Sequence, residues 1–186
     1  SVELVSYLPS TTSTLTDIEL IGNTLYVTST SGLYKLDPFK RSLELVAFEN
    51  TNFTRLVAAE KSRFWLGTAT RGACLFNPDD QSTTIDKGCT SETHGLSDNY
   101  VTDILLKDNG DIWVSTQRGL NILTSHNPNS VLRAPINEKD AAKERISSLY
   151  QTKAGLVVVG TTDDGFAISN PLLSNFYSQE IGEGRI

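Results

Sequence analysis

The stretch Gly95-Leu96-Ser97-Asp98-Asn99-Tyr100-Val101-Thr102-Asp103-Ile104 is followed by Asp108-Asn109-Gly110-Asp111-Ile112-Trp113-Val114-Ser115-Thr116 and by Arg118-Gly119-Leu120-Asn121. It decides the fold. Its apolar, β-branched and aromatic runs have the length of strands, and the polar, glycine-bearing stretches between them read as turns. Its weight comes from recurrence. Leu15-Thr16-Asp17-Ile18, Leu25-Tyr26-Val27-Thr28-Ser29 and Gly32-Leu33 follow the same plan. So do Phe53-Thr54-Arg55-Leu56, Phe64-Trp65-Leu66-Gly67-Thr68 and Gly72-Ala73. The last copy is Ile146-Ser147-Ser148-Leu149, Val157-Val158-Val159-Gly160-Thr161 and Gly165-Phe166.

The landmarks stay in step. From Leu15, Phe53, Val101 and Ile146 to the Gly-Thr-like pair at Thr28, Gly67, Ser115 and Gly160 the distances are 13, 14, 14 and 14 residues. Six residues beyond the glycine of each copy stand Pro38, Pro78, Ser125 and Pro171. The copies start 38, 48 and 45 residues apart, a period that suits propeller blades. The middle runs Phe64-Trp65-Leu66 and Val157-Val158-Val159 are apolar on both alternating faces. A strand in a two-layer sandwich alternates, whereas one between stacked sheets is buried on both sides. The expected fold is therefore an all-β propeller of about four blades, each with four antiparallel strands. Its blades span 15–52, 53–100, 101–145 and 146–186, with 1–14 as the outer strand of a preceding blade and a linker. Fourth strands are expected at Leu43–Phe48, Thr83–Asp86, Val131–Ile136 and Phe176–Ile181, and one or two helical turns at 137–145. Trp65 and Trp113 share a column and are expected to fill the gaps between blades. Asn109-Gly110 suits a type I′ hairpin turn, in which both central residues have positive φ.

Composition narrows the function classes. The 186 residues carry 16 Lys and Arg against 22 Asp and Glu, a net charge of −6. That balance argues against a nucleic-acid binder and against a polybasic membrane surface. With 38% hydrophobic and 20% charged residues the chain is too apolar to be disordered. No apolar run approaches the length of a transmembrane helix. Without a methionine the chain is expected to be processed or cut from a longer one. A half-ring of blades leaves two apolar faces open, so self-association or further blades of the same protein are expected.

The Gly-Leu-x-x-Asn-x-Val run, the Asp-x-x-Gly turn, Ile-Trp-Val-Ser-Thr and the closing Gly-Leu resemble the two-component regulator propeller repeat. Residues 95–121 carry the strongest likeness, and the four copies together cover about 15–181. The resemblance implies part of a seven-bladed propeller in the extracytoplasmic, periplasmic region of a bacterial membrane sensor. It also implies an output domain outside this chain, a histidine kinase, a hybrid kinase with a DNA-binding regulator or a GGDEF diguanylate cyclase, and an oligosaccharide as ligand.

Motifs for chemistry are sparse. His94 and His126 belong to no zinc pattern, and there is no nucleophile elbow, P-loop or dinucleotide fingerprint. Asp79-Asp80 reads as a turn, and Asp108-Asn109-Gly110-Asp111 lacks the rest of a calcium loop. No catalytic residue, metal or cofactor is expected. Antiparallel strands place the loops entering each first strand at the same end as the loops between second and third strands. Arg71, Arg118, Asn99, Asp163 and Asp164 are the candidates on that rim, because arginine binds carboxylates and sulfates bidentately. Cys74 and Cys89 alone leave a disulfide and two buried thiols open; a hairpin near Asp79-Asp80 brings them close, the extracytoplasmic location implied by the resemblance permits a bridge, and a Cys74–Cys89 disulfide is expected. The first reading is a non-catalytic ligand sensor. A propeller enzyme, such as a polysaccharide lyase with catalytic residues in other blades, and a passive interaction scaffold are the alternatives.

Overall fold

The computed structural model describes residues 13–60, 62–79, 95–124, 131–134, 145–163, 165–169 and 176–179. They form fifteen strands. The first sheet holds β1 (Leu15–Ile21), β2 (Thr24–Ser29), β3 (Gly32–Asp37) and β4 (Ser42–Ala47). The second holds β5 (Phe53–Ala58), β6 (Phe64–Thr68) and β7 (Ala73–Phe76). The third holds β8 (Val101–Leu106), β9 (Ile112–Thr116), β10 (Gly119–Leu123) and β11 (Val131–Ala134). The fourth holds β12 (Ile146–Gln151), β13 (Val157–Thr161), β14 (Phe166–Ser169) and β15 (Phe176–Gln179). Each sheet is an antiparallel meander in chain order. The readings at 1–12, 83–86 and 137–144, and those on Asp80, Asp164, Cys89, His94 and His126, lie outside the described residues.

The sheets stack face to face. Phe53, Leu56, Phe64, Leu66, Cys74 and Phe76 of the second sheet bury against Ile21, Tyr26 and Leu33 of the first. Val101, Ile104, Val114 and Leu123 of the third close on Ala73, Val57 and Trp65 of the second. Ile146, Val157, Val159 and Ala167 of the fourth close on Trp113 and Leu120 of the third. The first strands run along the inside of this stack, β1 against β5, β5 against β8 and β8 against β12; no comparable contact joins β12 to β1. The four sheets are propeller blades in an arc. The middle strands of the second and third blades are buried on both sides because those two blades have a neighbour on each side. Trp113 fills its gap and is buried, with the Lys107 ammonium 4.9 Å from the ring centroid. Trp65, in the same column, is only half-buried.

The hairpin turns differ from expectation. At Lys107–Asp111 only Gly110 has positive φ, at 83°. Gly110 N–H donates to the Lys107 carbonyl, and Lys107 N–H to the Asp111 carbonyl. That is a three-residue loop ending in a left-handed residue, not a type I′ turn. Asn109 is instead occupied by its side chain, which accepts from Asp111 N–H and donates to the Asp111 carboxylate. The 152–156 turn has the same bonds, with Gly155 left-handed. In the second blade Ser62 takes the left-handed position at φ 58°.

Candidate functional site

The rim is built by one device, repeated. Each second strand ends in a hydroxyl residue whose side chain closes the turn into the third strand. Ser29, Thr68, Thr116 and Thr161 donate to the carbonyls of Gly32, Gly72, Gly119 and Gly165 at 3.2, 2.9, 3.0 and 3.0 Å. In three of these turns the same hydroxyl accepts a backbone N–H from the loop, that of Ser31, Arg71 or Arg118. All four glycines have positive φ, which spares the turn the steric cost of a Cβ. The Gly-Thr…Gly spacing in the sequence is thus a turn held by one hydroxyl, buried in the first three blades and half-buried in the fourth.

Backbone bonds then tie these turns to the loops entering the first strands. Thr30, Ala69, Gln117 and Thr162 donate to Thr14, Asn52, Tyr100 and Arg145, the residues that lead into the first strand of the same sheet. Asn50, in the connection to the second sheet, donates to Ser31 in the first sheet's turn, and Gly72 in the second sheet's turn donates to Asn99 in the connection to the third. Both sets of loops do emerge at one end. Arg71 and Arg118 occupy equivalent turn positions and both are exposed. Asn99 and Asp163 are exposed at the same end, and Asn99 supplies the carbonyl that caps Gly72. Asp164 lies outside the described residues.

Sequence reasoning missed how the entering loop of the third blade is held. Asn121, fully buried, accepts from Ser97 N–H at 2.8 Å and donates to the Ser97 hydroxyl and the Val114 carbonyl. The Ser97 hydroxyl also meets Thr116 Oγ1 at 2.8 Å. A buried amide with its bonds made is a rigid anchor. Asp98 is therefore fixed beside Arg118, 3.4 Å from carboxylate to Nε. Arg145, at the entry to the fourth blade, is a third exposed arginine at this end that the column reading passed over because it precedes no glycine. A guanidinium with one carboxylate beside it keeps donors for an incoming anion.

A second missed feature lies on the first strands. Each pairs with its neighbour through a bulge, at 15/17, 53/55, 101/103 and 146/148. In the first three blades the residue after the bulge reaches the next blade. Asp17 Oδ2 accepts Leu56 N–H at 3.1 Å, and Asp103 Oδ2 accepts Leu149 N–H at 2.7 Å. In the second blade the column holds Arg55, whose Nε donates to Asp103 Oδ1 at 2.9 Å. The common column Asp17, Arg55, Asp103 and Ser148 was visible in the alignment, but only the fold shows that it bridges blades.

No described cluster of His, Cys, Asp and Glu could hold a metal ion. Cys74 is buried in the second blade opposite Leu66, and no described cysteine is free. Cys89 lies outside the described residues, so its pairing with Cys74 stands as a proposal. Free-thiol titration of the denatured, non-reduced chain tests it, and two reactive thiols contradict it.

Residues 95–118 match the family model described as Two component regulator propeller. That span holds the Ser97–Asn99 rim loop, the Asp103 bridge, the Gly110 turn, Trp113 and Arg118. Comparison with curated proteins returned no match. The extracellular domain of the putative one component system BT4673 from B. thetaiotaomicron is similar at 17% identity and TM-score 0.76, over 88% of this chain and 22% of that one. The extracellular domain of the putative hybrid two component system BT3049 from the same organism is similar at 16% identity and TM-score 0.60, over 82% of this chain and 19% of that one. PorZ, a bacterial surface component of the type-IX secretion system of Porphyromonas gingivalis, is similar at 16% identity and TM-score 0.67, over 92% of this chain and 28% of that one. The chain thus spans about a fifth to a quarter of these structures. At such identities the likeness is one of fold.

Proposed function

We propose that this chain is a non-catalytic, ligand-sensing propeller segment from the periplasmic region of a membrane-bound bacterial signalling protein. The match of residues 95–118 to the two component regulator propeller carries this reading. Two of the solved neighbours, described as extracellular domains of putative one- and two-component systems, support it. The rim bearing Arg71, Arg118 and Asn99 is the ligand site, and its chemistry suits a carboxylate or sulfate on an oligosaccharide. Ligand contact works by favouring one arrangement of blades or protomers over another, which requires different affinities for the two states. An output domain outside this chain reads the change.

The test is isothermal titration of the chain with neutral, uronate-bearing and sulfated oligosaccharides, repeated on the Arg71→Glu/Arg118→Glu variant. Acidic oligosaccharides are expected to bind, and the double reversal to weaken them at least about tenfold, or ~1.4 kcal/mol. Binding left unchanged by the reversal, or a preference for neutral sugars, contradicts the rim assignment.

A further inference from the structure

The Asn109-Gly110 dipeptide carries chemistry that the fold does not need. The 152–156 turn makes the same backbone bonds with Ala154 in the matching place, so the hairpin does not require an asparagine there. Asn109 is also the one asparagine of the chain followed by glycine. In that pairing the Gly110 nitrogen can attack the Asn109 side-chain carbonyl, because no Cβ on the glycine blocks the approach. The bond from the Gly110 nitrogen to Asn109 Cγ forms, the bond from Cγ to Nδ2 breaks, and ammonia leaves with the Gly110 proton. Water then opens the cyclic imide at either carbonyl and leaves aspartate or isoaspartate. No redox partner is needed, and one negative charge is gained. Asn109 and Gly110 are both exposed, so water reaches them.

The turn holds each reacting group. Gly110 N–H donates to the Lys107 carbonyl at 2.9 Å, so loss of its proton costs a hydrogen bond. Asn109 Nδ2 donates to Asp111 Oδ2 at 2.7 Å, and Asp111 N–H donates to Asn109 Oδ1 at 3.1 Å. The amide is thus gripped at its oxygen and at its nitrogen, and the shorter bond goes to a charged acceptor. Lys107 N–H, donating to the Asp111 carbonyl at 2.9 Å, keeps the two ends of the loop together. The imide needs the amide released from Asp111 and the nitrogen released from Lys107, so it forms only after the turn opens.

We propose that Asn109 is a site of spontaneous deamidation, held shut in the folded chain by the clasp to Asp111 and released when the 107–111 turn opens. The proposal is independent of what the rim binds. The product matters to the third blade. Isoaspartate adds a main-chain carbon inside a loop pinned at Lys107 and Asp111, and either product puts a new carboxylate into a stretch that already carries Asp108 and Asp111. Lys107 holds one end of that loop while its ammonium stands over the Trp113 ring. Modification therefore loosens the hairpin beside the tryptophan buried between the third and fourth blades.

Peptide mapping by mass spectrometry, on the chain held at mildly alkaline pH, reads the rate of deamidation at Asn109. The folded chain is expected to react at least about tenfold more slowly than the chain unfolded in urea, the worth of one net hydrogen bond. Asp111→Ala frees the amide and keeps Gly110, and is expected to raise the folded-state rate at least about fivefold. Asp108→Ala removes the same charge outside the clasp and is expected to leave the rate within about twofold. Hydrogen exchange at Gly110 N–H gives an independent reading and is expected to quicken along with deamidation in Asp111→Ala. Thermal unfolding verifies that each variant is folded, and Asp111→Asn, which keeps an oxygen but loses the charge, replaces the alanine if it is not. Equal rates in the folded and unfolded chain, a folded-state rate that the Asp111 variant leaves unchanged, or an equal rise with Asp108→Ala overturns the proposal.

Discussion

The second and third blades are built on the same frame with different polar parts. In the third, the bulge hydroxyl of Thr102 meets the Ser115 hydroxyl at 2.9 Å, Asp103 reaches into the fourth blade, and Gly110 takes the left-handed turn position. In the second, Gly67 stands where Ser115 would be, and the buried Thr54 hydroxyl has no partner. Arg55 replaces the aspartate and bonds to Asp103 instead, and Ser62 replaces the turn glycine. The apolar columns, by contrast, are kept in kind: Phe53 and Val101, Leu56 and Ile104, Phe64 and Ile112, Leu66 and Val114. Blade stacking depends on the apolar columns, while polar contacts are rebuilt locally from whatever the neighbouring strand offers.

Substitutions at matched positions sharpen that contrast. The largest effect is expected at the tryptophans. Trp113→Ala is expected to cost about 3–5 kcal/mol in urea unfolding, because its site is buried between blades. Trp65→Ala, half-exposed, is expected to cost clearly less; equal losses would break the link between burial and stability drawn here. Next comes Asp103→Ala, which removes the carboxylate bonded to Ile104 N–H, Leu149 N–H and Arg55. A loss of about 2–3 kcal/mol is expected. Asp17→Ala, with no arginine partner among its described bonds, is expected to lose less.

Gly67→Ala is expected to cost about 1–3 kcal/mol, since its Cβ would lie 2.7 Å from Val101 Cγ1. Val101→Ala in the same chain is expected to recover part of that loss, and a strictly additive double mutant would contradict the close approach. The smallest effect is at the turns: Ser62→Gly is expected to stabilise by about 1 kcal/mol by relieving a left-handed serine, while Gly110→Ala destabilises by a similar amount.

Much of this was legible in advance, for a physical reason. A blade inside the stack packs on both faces, so its middle strand must be apolar throughout, and the pattern at 64–66 reports that directly. The shared end of the two loop sets followed from strand direction alone. The turn at Asn109-Gly110 was misjudged because an asparagine side chain can bond its own turn in place of a positive φ. The bridges from Asp17 and Asp103 were hidden because a polar residue in a strand has many possible partners until the next blade is placed. On the rim, the column of Arg71 and Arg118 was readable, but the Asp98 contact and Arg145 were not, since they depend on loops whose course Asn121 sets.

Glu19 shows how far the columns carry. It stands where Val57 and Leu105 stand, beside the next blade, and burial followed by the nearby Asp17 charge pushes its carboxyl above the usual range. Its contribution is full when protonated and falls away as pH rises from the ordinary carboxylate value through its raised one.

The fold depends on blades meeting face to face through the matched columns. Nuclear Overhauser contacts in methyl-labelled protein test this most directly. Contacts from the Val101 methyls to Gly67 Hα, and from the Trp113 ring to the valine methyls of the fourth sheet, are expected. Their absence, with contacts joining nonconsecutive sheets as in a two-layer sandwich, would contradict it.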